Sequence, residues 1–319
     1  MGGSLSTSRT AETALANDRT LLGILYMVGF CLLAPIMDAF AKATPAEIPA
    51  AQIITARFVL QIVLLAPLAV LMGNFALPDR RSVGMHFVRA GSLLLATWMF
   101  FTAIREMPLA SAISIFFVEP FILTLLGALF LKEEVGMRRI VACVVGFGGA
   151  LLIIQPSFSN VGPVALFPLG TAFCFAIYMI LTRMMSQKLH PVTTQLHTAV
   201  AASVLITPVL WFYDGSGIAA LDPVWPKGLA VWTLLGVGVM ATISHISITF
   251  ALRHAPAATI APLQYLEIVS ATAVGYLIFD ELPNGLTWLG IAIIVGSGLY
   301  VFARERARDQ KLNKPTPPR

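Results

Sequence analysis

The chain has 319 residues, of which 57% are apolar and 12% charged, with a mean hydropathy of +0.83 and a formal net charge of +5. Soluble globular domains carry about a quarter of charged residues, so this balance excludes an ordinary water-soluble domain and puts the chain in the membrane class. A pI of 9.3 would suit polyanion binding, but where the basic residues fall along the chain argues against nucleic acid as a partner.

Residues 1–17 are polar and read as a disordered cytoplasmic N-terminus. No short apolar run with a small-residue cleavage site precedes the first long one, so a cleaved signal peptide is not expected. Ten apolar blocks follow, at about 20–41, 50–72, 85–104, 108–130, 137–154, 163–182, 192–213, 228–250, 256–279 and 284–303. Each approaches the roughly 20 residues that a helix rising 1.5 Å per residue needs to cross a hydrocarbon core. The expected fold class is therefore an all-α integral membrane protein with ten transmembrane helices. Pro35, Pro67, Pro120, Pro208 and Pro262 fall inside blocks, which membranes tolerate because neighbouring helices satisfy the freed backbone groups. Residues 304–319 read as a basic, disordered cytoplasmic tail lying against anionic headgroups. Cys31, Cys143 and Cys174 all lie in blocks and suggest packing rather than a disulfide framework or a metal site.

With the N-terminus in the cytoplasm, only Lys42, Arg105 and Lys227 of the 21 lysines and arginines fall in external loops, and Arg57 falls inside a span. The remaining 17, Arg89 among them, face the cytoplasm, which is the positive-inside signature and sets both termini there.

The segment from Arg105 aligns without gaps on the segment from Arg253. At a constant offset of 148, Arg105 matches Arg253, Pro108 matches Pro256, Glu119 matches Glu267, Gly127 matches Gly275, Glu133 matches Glu281 and Gly148 matches Gly296. Each copy holds five helices, residues 18–155 and 156–303. An odd number of spans makes the second copy start on the opposite side, so the repeats are inverted. Inverted repeats suit secondary transporters, whose sites lie near the midplane between the halves.

The duplicated stretches "PLASAISIFFVEPFILTLLGALFLKEEVGMRRIVACVVGFGGALLII" and "PAATIAPLQYLEIVSATAVGYLIFDELPNGLTWLGIAIIVGSGLYVF" combine a Pro-led span, a span ending before an acidic pair and a Gly-bearing final span. In these features the sequence resembles the drug/metabolite transporter superfamily, specifically its ten-helix EamA-type branch. "MDAFAK" at 37–42, "ARF" at 56–58 and "HFVRA" at 86–90 are similar to bacterial members assigned to uptake of riboflavin or S-adenosylmethionine. The resemblance implies a transporter of a small organic molecule in a bacterial inner membrane, with riboflavin uptake as the expected activity. S-adenosylmethionine uptake and export of amino acids or amines remain open.

Glu119 and Glu267 each stand twelfth in their blocks, near the bilayer centre. A carboxylate there costs about 2.5–3.5 kcal/mol on insertion scales, which favours a bundle interior or an aqueous cavity. They read as a substrate or proton site, against the alternative of structural groups bonded to backbone freed by Pro120 and Pro262. Arg57, eight residues into its span, needs an anion: Asp38, a central glutamate or a substrate group. Asp38 could instead form an interfacial i,i+4 pair with Lys42. His245 reads as either a satisfied buried histidine or a proton relay, and His197 as a satisfied one. Trp98, Tyr178 and Tyr265, whose polar handles need partners, are candidates for lining a planar ligand, and Gln264 adds an amide near Glu267. Glu133-Glu134 and Asp280-Glu281 read as charges capping the helices that follow, and "GFGGA" and "GSG" as sites of close helix approach.

No HExxH, GxGD, GxSG or CxxC motif and no phosphate-binding loop occurs, and the "DGSG" at Asp214 falls in an external loop, so neither an enzyme nor a bound cofactor or metal is expected. The expected partners are a small-molecule substrate and the lipid bilayer, with proton coupling and simple facilitated diffusion both open, and with a monomer or a homodimer as the assembly.

Overall fold

The computed structural model describes residues 4–131, 137–185, 189–255 and 261–312. All regular elements among these residues are helical. In chain order they are α1 (Ser4–Ala43), α2 (Ala50–Leu71), α3 (Arg80–Glu106), α4 (Leu109–Phe116), α5 (Glu119–Leu131), α6 (Met137–Val161), α7 (Phe167–Met185), α8 (Pro191–Phe212), α9 (Leu229–His254), α10 (Leu266–Phe279) and α11 (Gly285–Leu312). Two 3₁₀ turns, Gly162–Leu166 and Ala261–Tyr265, precede α7 and α10. Six stretches of the described residues are long and apolar enough to cross a membrane, one of them the 43-residue run Ile140–Thr182. Leu109–Leu123, Leu263–Phe279 and Gly285–Val301 are shorter apolar helical stretches.

Several boundaries depart from the sequence expectation. Both ends continue as helix, from Ser4 and to Leu312, where disordered ends were expected. "TAETALANDR" and "ARERARDQKL" are rich in Ala, Glu, Arg, Gln and Lys, whose helix propensity outweighs their polarity. Helix α3 starts at Arg80 rather than near residue 85, and Arg89, which lies within the expected block but was counted with the cytoplasm-facing charges, is fully buried in the bundle.

The fourth apolar block is not one helix. It breaks at Phe117 and Val118, and helical bonding resumes when the Phe121 and Ile122 amides donate to the Val118 carbonyl. Pro120 explains the break, since it has no N–H for the preceding turn and restrains the residue before it. The ninth block is likewise not uniform, because the 3₁₀ turn containing Pro262 leads into α10. Glu119 and Glu267 therefore both stand in the first turn of a helix that begins partway through an apolar block.

Local signals set the other ends that matter. The His190 side chain accepts from the Val192 amide at the head of α8, with Pro191 in the first helical position. Helix α10 stops at Asp280, which adopts φ 55°, while the Glu281 amide bonds back to the Gly275 carbonyl at 3.1 Å. The Asp280 amide itself donates to the Tyr276 carbonyl at 3.0 Å, the five-to-one bond of a left-handed helix stop. The cap of α11 falls to Asn284, whose Oδ1 accepts from the Thr287 amide at 2.8 Å, so Asp280-Glu281 does not cap the following helix as the sequence suggested. Glu133-Glu134 lie outside the described residues.

Helix α1 packs on α9 and α10, and α7 packs on α3 and α5. Helix α2 lies against α8 and α9, α8 also touches α3, and α6 pairs with α11. The α6–α11 pair is close because a Cβ on Gly290 would meet the Gly149 carbonyl at 2.7 Å and one on Gly149 would meet the Gly290 carbonyl at 3.0 Å. One apolar core runs through this arrangement, from Ile53, Ile54 and Phe58 on α2 through Phe101 and Ile104 on α3 to Ile153 on α6 and Ile294 on α11.

Candidate functional site

The packed helices leave a central cavity between α1, α2, α3, α4, α5, α7, α9 and the turn into α10. It offers about 80 Å³ to the centres of water-sized spheres, enough for several waters. Asp38 (α1), Arg57 (α2), Glu119 (α5), His245 (α9), Gln264 and Glu267 (α10) all line it. These six residues, scattered over 230 positions of sequence, were each expected at the site, and the fold brings them to one wall system.

Their bonding is incomplete. Arg57 Nη1 donates to Thr97 Oγ1 at 2.7 Å and Nη2 to His245 Nε2 at 2.6 Å. Among the described residues, no partner reaches Arg57 Nε, Asp38 Oδ1, Glu119 Oε1 or His245 Nδ1, although all are buried. The sole ion pair among those residues lies elsewhere: Lys42 Nζ contacts both Glu281 oxygens at 2.6 and 2.8 Å and donates to the Met107 carbonyl at 2.9 Å. Of the two readings of Asp38, the pair with Lys42 is not formed, because the helix stop at Asp280 delivers Glu281 to the end of α1. Helix N-termini supply partial positive charge, and this offsets part of the cost of burying Glu119 and Glu267 in the first turns of α5 and α10.

Half of the remaining lining is aromatic, the other half being Ala34, Met37, Leu93, Ala96, Thr97 and Thr171. Phe30, Phe100, Phe101, Phe116, Phe117 and Phe175 face the cavity. Phe116 meets Phe100, Phe117 and Phe175 edge-on, with centroids 6.1, 5.8 and 5.4 Å apart. Sequence reasoning weighed Phe101, Phe116 and Phe117 as a lining without retaining them and passed over Phe30, Phe100 and Phe175, because phenylalanines at helical spacing look the same whether they face a core, a lipid or a ligand. It also missed Thr97. That position had a signal, since 245 minus 97 is 148, the offset of the internal repeat.

Trp98, Tyr178 and Tyr265 are not among the lining residues. Trp98 is 38% exposed on the bundle surface, tilted against Phe167 at 5.7 Å. Tyr265 packs on Phe117 at 5.4 Å, and its hydroxyl occupies the room left by the missing side chain of Gly298. Tyr178 belongs to a second polar cluster around Arg89, whose Nη2 donates to the Tyr178 hydroxyl at 2.9 Å and whose Nε donates to Thr182 Oγ1 at 2.8 Å. Arg89 Nη1 reaches Thr198 Oγ1 and the Thr194 carbonyl, and the guanidinium lies 4.5 Å from the Tyr178 ring centre. Gln195 links the clusters by donating to the Tyr178 hydroxyl and to the His245 carbonyl. His197 donates from Nε2 to the Ala76 carbonyl at 2.7 Å and meets His86 edge-on, but its Nδ1 is buried with no partner among the described residues, so the histidine is only half satisfied.

Apolar helices that enclose a polar, partly aromatic cavity, two of them with a buried carboxylate in the first turn, define a multi-pass membrane protein of the small-molecule transporter class. The chain belongs to the EamA-like transporter family, which matches it twice, over residues 21–155 and 162–303. It is 28% identical over 295 residues to a riboflavin transporter of Vibrio cholerae, covering 91% of this chain and 96% of that one. It is 30% identical to a pseudopaline exporter of Pseudomonas aeruginosa, covering 86% and 93%, and 24% identical to an S-adenosylmethionine uptake transporter of Rickettsia prowazekii, covering 90% and 94%. A crystal structure 17% identical in sequence superposes with a TM-score of 0.59 over 93% of this chain and 99% of the other, a likeness of fold.

Proposed function

We propose that this protein is a secondary transporter that imports riboflavin across a bacterial inner membrane by alternating access. The observation that carries the reading is the central cavity, where six phenylalanines stand beside hydrogen-bonding groups with unused capacity. A planar isoalloxazine stacks on aromatic rings, and its imide N–H and ribityl hydroxyls are donors for Asp38, Glu119 and Glu267. In the present conformation the space suits waters rather than a flavin, so admission requires the halves to part. We assign to substrate binding the six residues that line the cavity. Trp98, Tyr178 and Tyr265 support its walls in this reading.

The architecture that goes with this function is ten spans in two inverted five-helix repeats, with both termini cytoplasmic. Three observations support it. The run Ile140–Thr182 is long enough for two crossings, and with the five other long stretches and three shorter ones the sum is ten. The family matches once in each half. The packing is reciprocal: α1 holds α9 and α10 as α7 holds α3 and α5, and α2 meets α9 as α8 meets α3.

A second reading, uptake of a cationic metabolite such as S-adenosylmethionine, is favoured by one observation. Three carboxylates and one guanidinium line the cavity, and none is in an ion pair among the described residues. The test is growth of a riboflavin auxotroph lacking its own importer, at limiting external riboflavin, with and without this gene. Rescue that excess S-adenosylmethionine does not suppress supports riboflavin. Failure of rescue, with the protein in the membrane, removes it and leaves the cationic substrate to be assayed directly.

A further inference from the structure

Arg57 is held from both sides of the internal repeat. Thr97 on α3 and His245 on α9 stand 148 residues apart, the offset at which the segments from Arg105 and Arg253 align, and the two terminal nitrogens of Arg57 reach one each, at 2.7 and 2.6 Å. A guanidinium only donates, so both partners must accept. Thr97 does so while its own proton goes to the Leu93 carbonyl at 2.8 Å. His245 can accept at Nε2 only as the neutral imidazole carrying its proton on Nδ1. The clasp joining α2 to α9 therefore exists in one protonation state of His245 and not in the other. A second proton would remove the accepting lone pair and set two positive charges 2.6 Å apart.

We propose that His245 is the proton-binding residue of the transport cycle, and that its protonation releases Arg57 and frees α9 to move. This inference rests on the transport reading above. His245 faces Arg57 from α2, Asp38 and the edge of Phe30 from α1, and Gln195 from α8, which holds its carbonyl at 3.2 Å. Glu119 and Glu267 face the same cavity, while Arg89 on α3 and Tyr178 on α7 stand behind Gln195. The released guanidinium has three carboxylates within the cavity wall to receive it, and Asp38 Oδ1 and Glu119 Oε1 have unused acceptor capacity among the described residues. Proton binding at His245 and the α2–α9 clasp are thus alternatives, which is what linking a proton to a conformational change requires.

The experiment uses the full chain in proteoliposomes with riboflavin, and with S-adenosylmethionine where riboflavin gives no signal. Counterflow, which needs no driving force, is measured first, and then accumulation under a pH gradient of about one unit, acid outside. One coupled proton allows up to about tenfold accumulation. The parent is expected to accumulate substrate above equilibration and to lose that excess with a protonophore. His245→Gln keeps an acceptor for Arg57 that does not titrate, and His245→Thr copies Thr97. Each is expected to show counterflow, at whatever rate, and to stop at equilibration under the gradient. Gradient-driven accumulation by either variant to the level of the parent overturns the proposal. So does a parent that exchanges substrate but ignores the gradient, a result that needs no variant to fold. A parent without counterflow of either substrate refutes the transport reading itself, and the inference falls with it.

Discussion

Glu281→Gln removes the carboxylate from the sole ion pair among the described residues, and the expected cost follows from its surroundings. The Lys42 and Glu281 side chains are 11% and 26% exposed, so the pair is neither fully solvated nor fully buried. Exposed pairs contribute about 0.2–1 kcal/mol, and hydrogen bonds to charged groups about 1.5–3 kcal/mol. Here Lys42 makes two short contacts with Glu281, and the Leu109 amide makes a third with the same carboxylate at 3.2 Å. A coupling of about 1–3 kcal/mol is expected, equivalent to roughly 5- to 150-fold in an equilibrium. The pair draws together the end of α1, the α3–α4 junction and the α10–α11 loop, so the energy is specific to conformations in which these three meet. The assay is a double-mutant cycle over Lys42→Met and Glu281→Gln, read as unfolding free energy in mixed micelles. A coupling below about 0.3 kcal/mol would refute the reasoning and leave the helix stop at Asp280 as all that positions Glu281.

Other outcomes follow from the packing. Gly290→Leu should lower unfolding stability by about 1–3 kcal/mol, because its side chain must displace Ile153 and the Gly149 backbone; unfolding in mixed micelles checks it. Arg89→Met should cost about 2–4 kcal/mol, since it strips a donor from Tyr178, Thr182 and Thr198 in a fully buried setting, and the yield of folded protein should fall accordingly. Trp98→Phe should leave substrate uptake within about twofold of the parent, because the ring lies on the bundle surface outside the cavity; a loss of tenfold or more contradicts that placement.

Much of this was legible in the sequence because bilayer physics makes exceptions conspicuous. A carboxylate in the middle of "SIFFVEPFIL" or "PLQYLEIVSA" needs a reason, and so does Arg57 in "ITARFVLQ", so these residues and His245 could be singled out before any fold was known. The helix breaks were less visible, since membrane helices often tolerate proline and Pro120 alone does not say which turn opens. Arg89 was counted with the cytoplasm-facing charges, because a place five residues into the block at 85–104 does not say whether a long side chain reaches out to the interface or turns into the bundle. Tyr178 was sensed as a polar aromatic needing a partner, but only the three-dimensional arrangement pairs it with Arg89 and Gln195 rather than with the cavity. The phenylalanine lining carries no sequence signal distinct from that of a core.

The central claim is that substrate passes through the cavity bounded by the buried carboxylates. Its most direct test is the rate of riboflavin uptake by cells carrying the parent or Glu119→Gln at matched membrane levels. Loss of a charge-assisted contact to the ligand should reduce uptake by about tenfold or more, with the folded protein still present. Uptake at the parental rate across the pH range would contradict the account and remove Glu119 from the transport path.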